Sequence, residues 1–187
     1  MELVHGRECG ACTVCCVVLN IDSPEFQKLP GAPCQHLKKS GAGCSIHATV
    51  FPACRSYHCG WRYIAGLGEE WRPDKSGVLI DFQIDGLPPH YKKRPGVRLT
   101  IVGPKETAFH AAFLNHIAHL IADDVPVIFA MPGPPGQFPA SVFLNDALKD
   151  AARARDFIRI KDFFAMLLNE LKKHSFNPVV HRHGANA

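Results

Sequence analysis

The second half of the chain contains short apolar runs and one longer run with helical spacing. The short runs are rich in β-branched residues and have the length of strands, and they span residues 78–84, 97–102 and 125–130. Between the second and third runs, apolar residues recur with the helical period from Phe109 to Ile121, and Pro104 stands near the first helical position. This stretch is therefore predicted to fold as strand, helix, strand.

The patterning continues toward the C-terminus and sets the predicted fold class. Residues 132–136 (Pro-Gly-Pro-Pro-Gly) predict a loop, and helices are expected from residue 141 to about 152 and from 156 to about 173. Residues 78–174 should thus form a unit of the α+β or α/β class, built on a small mixed three-stranded sheet with helices. Residues 175–187 are expected to be a flexible tail.

The first third of the chain lacks such runs and contains many turn residues. Residues 1–62 include Pro-Gly and Gly-rich stretches with few apolar clusters, which predicts a loop-rich module packed on the sheet unit. Residues 63–77 contain three glycines, a proline and two adjacent glutamates, so we expect them to connect the two parts. The apolar core of the first module would be thin, and another kind of interaction is needed to hold it.

Charge and hydropathy exclude several classes of function. No stretch approaches 18 consecutive apolar residues and the N-terminus has no apolar signal core, so we expect a cytoplasmic protein without a membrane span or secretory leader. The net charge of +4 comes from 21 basic and 17 acidic residues spread along the chain. Basic runs such as residues 92–94 and 172–173 are too short to follow a phosphate backbone, so no nucleic-acid partner is expected.

The cysteines change this picture, because all eight fall within 51 residues and the following 128 residues contain none. They are Cys9, Cys12, Cys15, Cys16, Cys34, Cys44, Cys54 and Cys59. An even number suits four disulfides, but disulfides require an oxidising compartment. In a reducing cytosol such crowding indicates metal ligation, and all eight thiols are predicted metal ligands. Disulfides and a thiol-redox arrangement remain the alternatives.

The first four cysteines form the pattern C-x2-C-x2-C-C. On a single helix their side chains would share an arc of about 120°, yet Cys9 and Cys16 would lie about 10 Å apart along the axis. One zinc ion with Zn–S bonds of about 2.3 Å cannot gather both ends. Either the segment bends around one centre, or its thiols are shared between centres that the downstream cysteines complete.

The downstream cysteines are spaced to complete such centres, with nine, nine and four residues between them. Eight thiolates suffice for two four-thiolate zinc sites, or for one iron–sulfur cluster with four cysteines to spare. Because Cys9 and Cys34 stand at the edges of their groups, we expect them to be the most dispensable. His36, His47 and His58 lie in the same window, and we interpret them as surface or outer-layer residues rather than ligands.

A resemblance to a known family rests on these motifs. C-x2-C-x2-C-C, a lone cysteine, then Cys44-Ser45-Ile46 and Cys54-Arg55-Ser56-Tyr57 nine residues later resemble the YkgJ-type cysteine-cluster family, a zinc- or iron-chelating domain. The match covers about residues 9–60. Three positions depart from the family pattern: His47 stands where tyrosine is usual, Val50-Phe51 replace Arg-Pro, and the proline is shifted to Pro52.

The resemblance implies a metal-binding protein that holds an iron–sulfur cluster or zinc, which the sequence does not separate. Flagellin lysine N-methylase carries a similar cluster, so one alternative is an enzyme that uses the cluster in methyl transfer or redox chemistry. A labile metal carrier is another. No G-x-S-x-G, H-E-x-x-H or G-x-G-x-x-G motif is present, and the sequence identifies neither a catalytic residue nor a substrate or protein partner.

Overall fold

The computed structural model of the chain describes residues 2–83, 86–91 and 94–181. Its strands are β1 (Ile21–Asp22), β2 (Gln27–Lys28), β3 (Val78–Gln83), β4 (Gly96–Ile101), β5 (Val127–Met131) and β6 (Ala140–Phe143). Its α-helices are α1 (Val14–Val18), α2 (Pro52–Ser56), α3 (Gly60–Tyr63), α4 (Pro73–Ser76), α5 (Ala111–Ala122), α6 (Asn145–Ala154) and α7 (Phe157–Leu171). The 3₁₀ turns are His47–Thr49, Glu69–Trp71, Pro89–Tyr91 and Lys105–Phe109. The fold is therefore mixed α and β, as predicted.

The larger sheet has the strand order β3-β4-β5-β6. β4 and β5 are parallel, since α5 carries the chain back across the sheet between them, and this confirms the predicted strand–helix–strand unit. The two outer pairs, β3 with β4 and β5 with β6, are antiparallel. β1 and β2 form a separate two-stranded hairpin in the first third of the chain.

The prediction of a three-stranded sheet is not confirmed, because the sheet has a fourth strand. The helix expected from residue 141 is wrong over residues 141–143, because these residues belong to β6 and pair with β5, Val142 lying opposite Phe129. A run of four residues is too short to show a period, and the partner strand determines its conformation. The helix begins only at Asn145, whose buried side chain accepts a hydrogen bond from Val127 N at 2.7 Å.

Parts of four predictions lie outside the described residues. These are Met1 of the first module, Ile84 of the first strand, Lys92 and Lys93 of one basic run, and residues 182–187 of the tail. The described part of the tail runs beside the loop before β6, where Phe138 N donates to Asn177 O at 2.9 Å and Val179 N donates to Gly136 O at 2.8 Å. No helix in the described ranges has the length and apolar character needed to cross a membrane.

The main core lies between one face of the sheet and helices α5, α6 and α7. Phe129 on β5 packs edge-to-face against Phe113 of α5 and Phe164 of α7, with ring centroids 6.4 and 5.1 Å away, and all three side chains are buried. Leu99 lies beside Phe129 in the register of β4 and β5 and is also buried. Apolar burial of this kind is the dominant favourable contribution to folding.

The opposite face of the sheet is more polar, because side chains alternate along each strand. Asp81 of β3 lies directly opposite Arg98 of β4 on this face. The neighbouring row on this face contains two further polar residues. Thr100 of β4 lies opposite Ala130 of β5, which lies opposite Ser141 of β6. The first third of the chain packs near this face, with Val18 and Leu19 partly buried against the core.

The cysteine-containing segment approaches the sheet at the edge strand β3. Helix α3 begins at Gly60, and a Cβ atom placed there would lie 2.5 Å from Ile80 Cγ2. Only glycine permits this approach without displacing β3. At the other end of the segment, Arg7 donates to the carbonyl oxygens of Trp61 and Leu67 and stacks over the Trp61 ring, which ties the N-terminus to the segment that follows α3.

Candidate metal centre

The C-x2-C-x2-C-C segment is not one continuous helix. Cys9 and Cys12 precede α1, where Cys12 N donates to Cys9 O at 2.9 Å, whereas Cys15 and Cys16 lie inside the short helix. Neighbouring residues of a helix point about 100° apart. Cys15 and Cys16 therefore face different surroundings, and the eight cysteines divide into two groups at this point.

The first cysteine set consists of Cys9, Cys12, Cys15 and Cys59. These four line one small cavity of about 30 Å³ beneath α1 and the start of α3. Tyr57, His58, Trp61, Arg72, Pro73 and Leu79 complete its lining. The volume holds one or two water-sized occupants, since a single water needs about 10–15 Å³ by the same kind of measure.

Electrostatics within the first set are consistent with thiols placed close together. Burial raises the pKa of Cys59 to about 11, and negative charge on Cys9 and Cys12 contributes further to this rise. Burial also raises the pKa of Cys12, and the carboxylate of Asp74 lies near enough to add to it. Arg62 Nη1 donates to Cys9 Sγ at 3.7 Å, so a cation already faces this set.

The second cysteine set consists of Cys16, Cys34, Cys44 and Cys54. Cys34 N donates to Cys16 O at 3.0 Å, and Cys44 is held by an isolated bridge to Leu37, just after Cys34. Burial raises the pKa of Cys54, and negative charge on the other three cysteines of the set raises it further. The four thiols therefore lie within electrostatic reach of one another.

The two sets meet at adjacent residues of α1. A thiol–thiol interaction in which Cys15 donates to the Cys16 sulfur raises the pKa of Cys15 and lowers that of Cys16. The positive charge of Lys28 contributes to the lowering at Cys16. The thiolate is favoured on the second-set side of this contact.

Lys28 is an unusual feature of the second set, because its side chain is only 6% exposed. Its ammonium group donates to the carbonyl oxygens of Val17, Leu29 and Ala32 at 2.8, 2.9 and 2.8 Å. Its pKa is lowered by burial and raised again by thiolate charge on Cys34 and other cysteines around it. Since buried lysines are rare unless compensated, this cation is placed to balance negative charge at the second set.

The structure places every cysteine in one of the two sets, including the two expected to be dispensable. Cys9 and Cys34 stand at the edges of their groups in sequence, but in space each lies among the members of its set. All eight cysteines are free thiols, and only Cys59 is fully buried. Across residues 2–83, 86–91 and 94–181, no three Cys, His, Asp or Glu side chains are gathered tightly enough to hold an ion. Each set is therefore a neighbourhood of thiols rather than a formed coordination sphere.

The three histidines of the window occupy different surroundings. His47 is exposed in a 3₁₀ turn, and the His36 ring packs 5.7 Å from the rings of Phe26 and Phe51. Its backbone N–H donates to Cys34 Sγ at 3.4 Å. His58 lines the first-set cavity, where burial and the charge of Arg62 lower its pKa.

The sequence did not predict the burial of Lys28 beside the cysteines or the pairing of Tyr57 with Asp81. The Tyr57 hydroxyl donates to Asp81 on the polar face of the sheet, and burial raises the pKa of both groups. Tyr57 also lines the first-set cavity. A charged residue inside each of two predicted strands, Asp81 and Arg98, was the available signal, because neighbouring strands can bring such residues together.

No family model, no curated protein and no solved structure matches the chain. The resemblance to the YkgJ-type family therefore rests on the motif residues alone.

Proposed function

We propose that this chain is a metal-binding protein that holds metal through two four-thiolate sites, one at each cysteine set. The observation that carries the proposal is the division of all eight cysteines into two groups of four. The first group lines a common cavity, and three members of the second, Cys16, Cys34 and Cys54, lie within electrostatic reach of the buried Lys28. Four thiolates are the complete ligand set of a structural zinc site.

Zinc is the metal that this arrangement fits best. Thiolate is a soft ligand that selects zinc, copper(I) and iron–sulfur clusters. The first-set cavity of about 30 Å³ suits a single ion better than a multi-atom cluster. Two zinc ions and eight thiolates carry a formal charge of −4, which offsets the +4 of the rest of the chain.

Each set has a positive group or an N–H donor beside a sulfur, which would offset part of the negative charge of metal-bound thiolates. Arg62 faces Cys9 in the first set, and Lys28 lies among the cysteines of the second. The backbone N–H of His36 points at Cys34 Sγ. Hydrogen bonds and charges in this outer layer orient metal ligands and adjust their basicity.

The bound metal would supply folding free energy to the cysteine region. Structural zinc contributes an apparent 10–16 kcal/mol in small domains, about as much as a whole small apolar core. The first third of the chain would then form the loop-rich, metal-bound module of the YkgJ-type family, packed on the sheet. A reducing, cytoplasmic location would keep the thiols available for metal.

Elemental analysis of anaerobically purified full-length protein tests the proposal. We expect two zinc ions per chain, no absorbance in the visible range, and eight thiols that react with an alkylating reagent only after metal removal. A brown sample containing iron and acid-labile sulfide would replace zinc with an iron–sulfur cluster. Metal-free protein with four disulfides in non-reducing mass spectrometry would overturn metal binding altogether.

A further inference from the structure

A second and much larger cavity lies on the polar face of the sheet, outside both cysteine sets. Its volume is about 400 Å³, within the range of small-molecule sites in proteins. Asp81, Arg98, Thr100 and Ser141 form its floor, and the loops at residues 30–31 and 132–139 form part of its wall. The wall also contributes apolar side chains, among them Leu19 and Phe138.

The floor of this cavity carries two residues of opposite charge, Asp81 and Arg98, that form no salt bridge with each other. Asp81 and Arg98 are direct cross-strand neighbours on the same face, a position from which such pairs usually form an ion pair. No Asp81–Arg98 contact within 4 Å is found, although both residues are described. Asp81 instead accepts the hydroxyl of Tyr57.

Arg98 is left with an unused donor. Its Nε–H is buried and meets no hydrogen-bond acceptor among the described residues. A buried donor without a partner costs about 1–3 kcal/mol, and more when the group is charged. Arg98 lines the cavity, and the planar guanidinium fork matches the two oxygens of a carboxylate.

We propose that the cavity is a binding site for a small organic carboxylate, with its carboxylate on Arg98 and its apolar body against Leu19 and Phe138. A single guanidinium beside the carboxyl group of Asp81 favours a monoanion. A phosphate dianion would need a second cation, and the lining residues that the structure describes provide none besides Arg98.

The position of the cavity relative to the first cysteine set gives this site a functional context. Leu79 lines both cavities, and Tyr57 reaches from the first-set cavity to Asp81 on the floor of the second. A carboxylate bound at Arg98 would therefore lie one side-chain layer from the first set. The proposed carboxylate site is formed by the cavity and Arg98, and it requires no metal at either cysteine set.

The side-chain Nε–H signals of arginine in ¹⁵N-labelled full-length protein test the proposal directly. Benzoate is the probe, and benzamide is its uncharged isostere. We expect one arginine Nε–H signal, absent from Arg98→Lys, to shift saturably with benzoate and not with benzamide. Arg98→Gln should raise the dissociation constant at least about tenfold, the loss expected for a charged hydrogen bond.

Two further variants keep the test decisive if Arg98→Gln folds poorly. Ser141→Leu puts a larger apolar side chain at an exposed position of the cavity floor and leaves Arg98 in place, so it should abolish the shift. Arg153→Gln, at an exposed arginine of α6, should bind benzoate like the unmodified chain. No saturable shift, an equal response to benzamide, full binding by Ser141→Leu, or tighter binding of inorganic phosphate than of benzoate would overturn the proposal.

Discussion

The cysteine region, residues 2–62, and the sheet unit, residues 78–171, are held together by different means. The sheet unit buries a continuous apolar core in which Phe113, Phe129 and Phe164 pack on one another. The cysteine region has few buried side chains and short elements of two to five residues. It contains half-buried thiols instead, and the ammonium group of Lys28 donates hydrogen bonds to backbone carbonyl oxygens.

This difference suggests which region depends on a ligand for its stability. Ordering a residue costs about 1–2 kcal/mol of backbone entropy, and apolar burial normally offsets that cost. The sheet unit has this burial, whereas the cysteine region contains half-buried thiols in its place. Metal–thiolate bonds can supply the missing free energy at the two cysteine sets.

Metal removal should separate the two regions most strongly. We expect a chelator under reducing conditions to unfold residues 2–62 and leave the sheet unit folded, because only the first region would lose about 10–16 kcal/mol of metal-linked free energy per site. Limited proteolysis should then cut before about residue 77 and spare a fragment that contains α5 to α7. Zinc-saturated protein treated in parallel is the control. Protease resistance of residues 2–62 after full metal removal would contradict a structural role for the metal.

Single serine substitutions should divide the metal content between the two cysteine sets. Cys12→Ser should lose the metal of the first set and Cys54→Ser that of the second, because a hydroxyl is a poor replacement for soft thiolate. Each variant should retain about half of the metal per chain, and the double variant almost none. Cys9→Ser and Cys34→Ser should behave like their set partners. Full metal retention in both Cys12→Ser and Cys54→Ser would refute ligation by these sets.

Truncation of the sheet core should have the opposite effect to metal removal. Phe164→Ala removes a ring that contacts Phe113 and Phe129, and it should lower the free energy of unfolding of the sheet unit by about 3–5 kcal/mol. Metal per chain should change little, because Cys59 is the only one of the eight cysteines in the buried cluster that contains Phe164. Thermal unfolding and elemental analysis of the same sample measure both effects. Loss of metal together with stability would show that the two regions are energetically coupled.

Lys28→Met should weaken only the second cysteine set. The substitution removes a buried positive charge while keeping much of the side-chain volume, and we expect about a tenfold loss of metal affinity at that set. Chelator competition, which resolves the two sites by their affinities, is the measurement. The exposed Lys39→Met variant is the matched control and should bind like the unmodified protein. An unchanged affinity in Lys28→Met would leave the buried lysine with a packing role only.

The smallest effect should come from a helix cap in the sheet unit. Asp156 caps α7, and its carboxylate accepts a hydrogen bond from Arg159 N at 3.0 Å. Asp156→Ala should cost about 1 kcal/mol of unfolding free energy, whereas Asp156→Asn should cost much less because asparagine caps nearly as well. Denaturant unfolding of the two variants provides the comparison. Equal losses in both would show that the cap hydrogen bond is unimportant here.

Elements with a clear hydrophobic period, and the segment that contains all the cysteines, could be predicted from the sequence. The strands around residues 78, 97 and 127 and the helix α5 followed from β-branched runs and helical spacing. Asp156 marked the start of the last helix correctly, because a cap is a local interaction. The clustering of the eight cysteines predicted metal ligation in the first third of the chain, and this stays a prediction.

Tertiary structure alone decided how those elements and thiols are partnered. β6 forms because the edge of β5 provides hydrogen-bonding partners for it. A run of four residues is too short to predict this pairing. The grouping of Cys9 with Cys59 and of Cys16 with Cys54 depends on how the loops between them fold back. The position of Asp81 opposite Arg98 likewise depends on the register of β3 and β4. Contacts between residues far apart in the chain follow from packing, and packing is a property of the whole fold rather than of any local pattern.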